Sequence, residues 1–319
     1  MRSEFDFIHH IKKKYGLSHI GDDCAVLPKD DQNDMVLTAD MLVEDVDFRL
    51  DWTTPKLLGQ KALAVSLSDV AAMGAEPKWA MISIAIPEDV WKSSFLDEFY
   101  EGWHLLASKF SVALVGGDIS RTPAKIVIDS TVWGEVPRGR AVLRSGAKPG
   151  HGIYVTGELG GAAAGLRLLE EGFRFPELNT ARYDALLLRQ LNPFPHAKTG
   201  AEIRSRFSPS AMIDLSDGLS SDLAHICRAS GVGAVIDAGK IPVHRKLKRI
   251  FRQPDEQLGM ALNGGEDFEL LFTVGDEKTS EAKTNGITRI GTITANAEKI
   301  ELIVDGKSRG LKAKGFQHF

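Results

Sequence analysis

Cysteine is scarce in this chain: Cys24 and Cys227 are the only two in 319 residues. Two lone thiols build no disulfide framework, and without a Cys-x-x-Cys pair they build no zinc knuckle, so a reducing cytoplasm is the natural setting. No apolar run approaches the roughly 18 residues that a membrane-spanning helix needs. The N-terminus carries Glu4, Asp6, His9 and His10 where a secretory signal would be apolar. The chain is therefore expected to be soluble, cytoplasmic and without a membrane partner. There is no long basic run and the net charge is −4, which disfavours a nucleic-acid partner. The short Lys12-Lys13-Lys14 run is read as solvating a helix end, where it suits the helix dipole. Also missing are G-x-x-x-x-G-K-[ST], G-x-S-x-G and H-E-x-x-H, which removes the usual P-loop kinase, α/β-hydrolase and zinc-protease readings. The nine histidines show no metal spacing.

What is present is aspartate beside small residues. Six acidic clusters recur along the chain: Gly21-Asp22-Asp23, Thr38-Ala39-Asp40, Ser68-Asp69, Gly116-Gly117-Asp118, Asp214-Leu215-Ser216-Asp217-Gly218 and Gly264-Gly265-Glu266-Asp267. Hard divalent cations take oxygen ligands, and phosphates follow the cations. One Gly-Asp pair is a turn; six at the edges of apolar runs predict one Mg²⁺-loaded site for polyphosphate, assembled from distant segments. Asp40 ends an apolar strand, where a buried carboxylate is costly unless a cation compensates it. Asp69 stands inside an apolar helical pattern, a poor helix choice. Asp118 follows two glycines at an expected strand end, which would let backbone amides approach an anion. Asp214 to Gly218 precedes a helix N-terminus, itself an anion site.

The pattern of elements is mixed α/β in both halves. Ser3 to Asp6 resembles a capping box opening a helix that Gly16 stops. Strands are expected at Cys24–Leu27, Met35–Thr38, Trp79–Ile86, Val112–Val115, Ile126–Gly134, Gly152–Thr156, Ala211–Asp214, Ala234–Ile236, Leu270–Val274, Arg289–Ile293 and Ile300–Val304. Helices are expected at Pro55–Met73, Val90–Lys109, Ala162–Glu171 and Gly218–Ser230, with a helical, polar stretch at Phe173–Pro193. The Pro-, Gly- and Arg-rich stretch from Val136 to Gly150 marks a boundary, giving domains 1–137 and 138–319. Strands around Val26, Leu37 and Ile82 are too apolar for a half-exposed sheet, which suits a buried dimer interface. The glycine turn Gly157–Gly161 departs from dinucleotide spacing and is read as tight helix packing.

Together the acidic blocks resemble the thiamine-monophosphate kinase family, within the aminoimidazole-ribonucleotide-synthetase-like ATP-binding superfamily. The stretches that carry the likeness are Ile20–Val26, Thr38–Glu44, Lys61–Pro77, Val115–Asp118, Gly139–Gly150, Ile213–Leu219 and Gly264–Leu270, with Lys314–Phe319 at the C-terminus. The block around Ser68-Asp69 recurs across the superfamily, whereas Asp214–Leu219 and Gly264–Leu270 are particular to this family. The resemblance implies ATP-dependent phosphorylation of thiamine monophosphate to thiamine diphosphate, several Mg²⁺ ions, and an α/β fold of two domains with a homodimer joined through the N-terminal sheets. It implies metal ligation by Asp23, Thr38, Asp40, Asp69, Asp118, Asp214 and Asp217, with Asp40, Asp69, Asp118 and Asp214 essential to transfer. It implies nucleotide contacts from Gly117, Asp118, Arg144 and Ser216, and thiamine contacts from Glu266 and Phe316. Asp22 would stand behind the ligands.

Two positions depart from the family pattern. Ala39 replaces the usual Thr or Ser before Asp40. Asp47 replaces the usual substrate-contacting His in Val43 to Phe48, and an ionised Asp cannot donate to a phosphate; it could pair with the thiazolium or hold a further Mg²⁺. Another ATP-dependent synthetase of the superfamily, or a weakly active thiamine-phosphate- or ATP-binding protein, are the alternative readings. Cys24 is read as core, not as a nucleophile.

Overall fold

The computed structural model describes residues 4–176, 181–275, 286–297 and 299–316. Ser3, and with it the expected capping box, lies outside them. Two mixed sheets organise the chain. The first combines β1 (Ala25–Pro28), β2 (Asn33–Val43), β3 (Glu76–Ile86), β4 (Ala113–Arg121) and β5 (Val127–Pro137) in the order β1-β2-β5-β3-β4. The second contains β6 (Gly152–Thr156), β7 (Ala211–Asp214), β8 (Gly233–Asp237), β9 (Leu270–Val274), β10 (Ile287–Thr294), β11 (Ile300–Val304) and β12 (Lys307–Gly310), ordered β12-β11-β8-β10-β6-β9-β7.

Helix α1 (Glu4–Tyr15) precedes the first sheet, and Gly16 stops it at φ 65°. Helix α2 (Pro55–Ala72) lies between the two sheets. It starts where Thr54 Oγ1 accepts from Leu57 N at 3.2 Å with Pro55 in the first turn, and it stops before Gly74 at φ 65°. It is buried almost all round, from Leu58 to Ala72, because one side meets β2 and β5 and the other meets β7 and α7 (Ala197–Phe207). One hydrophobic core therefore runs from Val36, Ile82 and Val132 in the first sheet through α2 to Phe207, Met212 and Phe272 in the second half. A further core forms around α8 (Leu219–Ser230), and another around α5 (Gly161–Glu170) and α6 (Asp184–Leu191).

Several expectations change. Val90–Lys109 is not one helix: α3 (Glu88–Trp91) ends at Lys92, and α4 (Phe95–Phe110) restarts after Ser93 and Ser94. Within Phe173–Pro193 only Asp184–Leu191 is helical among the described residues. Helices α7, α9 (Arg245–Ile250) and α10 (Pro254–Asn263) had no predicted counterpart. Ile82 faces inward and is 1% exposed; the open face of the first sheet carries Met81 and Met41 instead. The turn Gly157–Gly161 is closed by the chain's own acid, since Asp267 accepts from Gly160 N at 2.5 Å and Ala162 N at 3.1 Å. The anion at the start of α5 is thus internal, and close packing explains the glycines.

Candidate active site

Strand β2 alternates, so Thr38 and Asp40 point to the α2 side of the first sheet while Ala39 and Met41 point away. On α2, Asp69 meets this row: Thr38 Oγ1 donates to Asp69 Oδ2 at 2.5 Å. One residue earlier, Ser68 Oγ donates to Asp214 Oδ2 at 2.6 Å, which ties the end of β7 to the same helix. Asp23 completes the group from the segment before β1. One carboxylate oxygen from each of Asp23, Asp69 and Asp214 lies within 4.8 Å of the others.

Packing these acids together without matching cations has an electrostatic cost. Burial, with the charge of Asp23 adding, pushes the Asp214 carboxyl up to about 7. Burial pushes Asp40 up to about 6, against the opposing effect of the nearby Ser66 hydroxyl. Asp69 is raised by burial and then by Asp40, Asp214 and Asp23. Burial and Asp23 bring Asp22 to about 6. Arg144 is the basic partner in this region: its Nη2 lies 2.5 Å from Asp23 Oδ1, and its backbone N donates to Asp22 Oδ1 at 3.1 Å. The other oxygens, Asp23 Oδ2 and Asp40 Oδ2, are buried and make no hydrogen bond. A set of hard oxygens with unpaired, repelling carboxylates fits divalent cations.

Beside this group opens a cavity of about 430 Å³, whose walls include Asp40, Asp47, Ser216, Asp217, Glu266 and Phe316. Two loops frame it and brace each other. Glu266 N donates to Ser216 O at 2.7 Å, Phe268 N to Leu215 O at 3.0 Å, and Phe316 N to Asp217 O at 3.2 Å. Gly265 sits at φ 64°, and an added Cβ would meet Ser216 O at 2.7 Å, so the close approach requires glycine. Glu266 and Phe268 adopt φ 53° and φ 50°, a left-handed conformation that bulky residues hold only when their surroundings enforce it. Asp217 also groups with Asp222 and His225 on the neighbouring helix.

The structure brings together Asp23, Thr38, Asp40, Asp69, Asp214 and Arg144, and it brings Asp47, Ser216, Asp217, Glu266 and Phe316 to the adjoining cavity. It does not bring Gly117 and Asp118 to them within one chain. Val115 does not end the strand: β4 continues to Arg121, with Asp118 exposed in its middle. The register runs from Asp40 to Ser130, to Ile82, to Gly117. Three strand spacings separate the two ends of that row, about 14 Å. Asp47 also has a local role, since its Oδ2 accepts from Val43 N at 2.8 Å. Sequence reasoning missed Lys61 and Gln190 in the cavity wall; a lysine on the apolar face of α2 was the available signal.

The chain matches the model of the AIR synthase related protein N-terminal domain over residues 21–136, and that of the C-terminal domain over 148–303. It is 38% identical to the thiamine-monophosphate kinase of Bacillus subtilis, with 99% of each protein covered. It is 40% identical to that of Escherichia coli K12, over 94% of this chain and 91% of that one. The chain belongs to the thiamine-monophosphate kinase family. Among solved structures, AaThiL complexed with AMPPCP and TMP superposes with a TM-score of 0.87 at 35% identity, covering 99% of this chain and 97% of that one. Hydrogenase maturation protein HypE, at 17% identity and TM-score 0.71, shares the fold. The two-domain α/β family fold is thus the one expected from the acidic blocks.

Proposed function

We infer that this family member transfers the γ-phosphoryl group of ATP to the phosphate of thiamine monophosphate, giving thiamine diphosphate. The observation that carries the reading is that Asp40, beside the Asp23–Asp69–Asp214 carboxylates, also lines the cavity walled by Glu266 and Phe316. Both reactants are anionic, so the transfer depends on in-line positioning and charge neutralisation, which bound Mg²⁺ supplies. Asp23, Thr38, Asp40, Asp69, Asp214 and Asp217 are the residues that would hold it. Arg144 and Ser216 take the nucleotide; Gly117 and Asp118, three strands from Asp40 within one chain, are assigned to it on the likeness of their Gly-Gly-Asp block alone. Asp47, Glu266 and Phe316 hold the thiamine end, Glu266 with a negative charge toward a cationic ring system.

We also read the molecule as a cytoplasmic homodimer, with a domain boundary between residues 137 and 138. The exposed apolar side chains Met41 and Met81 on the outer face of the first sheet, with exposed Leu114, Val115 and Ile119 along its β4 edge, support the pairing of two copies. Ala39, which replaces the family's hydroxyl residue, points away from Asp69, so Thr38 supplies the hydroxyl that faces it.

The test is a steady-state assay with thiamine monophosphate, ATP and Mg²⁺, following thiamine diphosphate by chromatography. Formation of one thiamine diphosphate per ADP supports the reading. ADP without it identifies another ATP-dependent synthetase of the superfamily, and binding without turnover identifies a thiamine-phosphate-binding protein.

A further inference from the structure

Lys61 is a charged side chain in the middle of a buried helix, with a relative exposure of 4%. Its Nζ lies 2.6 Å from Glu266 Oε1, 3.3 Å from Gln190 O and 3.5 Å from Asp47 O. An ammonium group has three protons, and these three acceptors occupy all of them. Lys61 therefore has no donor left for an incoming phosphate, and it is not a counterpart of a phosphate-binding lysine. The three acceptors come from three separate segments: the loop after β2, the end of α6 and the Gly264–Glu266 loop. Gln190 Nε2 donates to the other carboxylate oxygen, Glu266 Oε2. Both oxygens of Glu266 are thus bound, while its side chain remains 32% exposed and lines the cavity. The backbone of Glu266 is left-handed, a conformation that persists where surrounding contacts enforce it.

We propose that Lys61 is a positioning residue for the thiamine end of the substrate, acting through Glu266 and Gln190 rather than on the phosphates. This rests on the reading of Glu266 as a thiamine contact. A carboxylate keeps about four lone-pair sites, so two remain for substrate after Lys61 and Gln190 have bound. Without Lys61, Glu266 is held only through Oε2 by Gln190, and its carboxylate can turn from the direction in which the pair of contacts fixes it. Recognition of the thiamine moiety then weakens, while the nucleotide and the carboxylate group are left as they were.

The test is a double-mutant cycle of Lys61→Met and Glu266→Gln, read as Michaelis constants for thiamine monophosphate and for ATP. Lys61→Met is expected to raise the constant for thiamine monophosphate more than tenfold and to leave that for ATP within twofold. The double variant, which leaves no charge unpaired and so folds even if Lys61→Met alone does not, is expected to resemble Glu266→Gln alone. Effects of Lys61→Met and Glu266→Gln that multiply would overturn this proposal and leave Glu266 in place as a thiamine contact. A Lys61→Met effect on ATP as large as that on thiamine monophosphate would overturn it too. If Glu266→Gln leaves the constant for thiamine monophosphate unchanged, the placement of Glu266 and this proposal fall together.

Discussion

Replacing Asp214 by Asn removes one charge from three carboxylates that approach within 4.8 Å and keeps the acceptor for Ser68 Oγ. The repulsion between Asp214 and Asp69 at that separation is about 1 kcal/mol in water and about 3 kcal/mol at an effective dielectric constant near 20. Asp23 is the neighbouring charge that raises Asp214 most, and Arg144 offsets part of it. Asp214→Asn should therefore stabilise the metal-free chain at pH 8 by about 1 to 3 kcal/mol, or ~3–8 °C in Tm. The carboxyl of Asp214 sits at about 7, above its ordinary value of 3.8. Its protonated form is favoured by folding, so its contribution is fully present below ~3.8 and is lost as pH rises through ~7. From pH 8 to pH 5 the gap between wild type and variant should narrow, since protonated Asp214 resembles Asn, and it closes only near pH 3.8. Added Mg²⁺ should raise the Tm of wild type at pH 8 and move the variant much less. The assay is thermal unfolding at pH 5 and pH 8, with and without Mg²⁺. A variant less stable than wild type in the metal-free state at pH 8, with an undiminished response to Mg²⁺, would refute the reasoning.

Asp40→Asn and Asp69→Asn should each lower kcat by ~10²–10⁴ with the circular-dichroism spectrum unchanged; near-full activity at limiting Mg²⁺ would remove either from the metal ligands. Asp47→Ala should cost ~1 kcal/mol of stability, because it leaves Val43 N without its acceptor. It should also raise the Michaelis constant for thiamine monophosphate, and an effect confined to ATP would contradict its place in the cavity wall. Sedimentation at micromolar concentration should give about twice the 34.8 kDa chain mass, and a monomer there would contradict the homodimer reading.

The sequence announced the acids better than it announced their distances. Asp23, Asp40, Asp69 and Asp214 were legible because each interrupts or ends an apolar run, and burial of such a group needs a reason. Asp118 carries the same local signal as Asp40, yet strand pairing places it three strands away. That separation depends on which strand pairs with which, and nothing within ten residues of Asp118 encodes it. Helix α7 escaped notice because its buried face is only Ala197, Gly200, Ile203 and Phe207. Gly200 lets it lie against α2, where a Cβ would meet Ala71 O at 2.1 Å, and such close approach leaves little hydrophobic periodicity to read. Val90–Lys109 was read as continuous because apolar residues continue in phase, whereas the polar Lys92-Ser93-Ser94 segment breaks it. Asp47 was read as facing substrate; its carboxylate also serves as a local turn acceptor, which an aspartate does well and a histidine does poorly.

Helix α2 carries both ends of the site on one rigid element. Lys61 lies under Glu266, the proposed thiamine contact, and Asp69 among the carboxylates, eight residues apart, which at 1.5 Å per residue is about 12 Å. A packed helix does not stretch, so this distance acts as a gauge for the acceptor molecule. A phosphate ester whose ring and phosphate are spaced much more widely or more closely than that interval could engage one end but not both. Substitutions at either end would then change what is gripped, whereas inserting a single residue between positions 61 and 69 would turn one end by about 100° and detach recognition from chemistry.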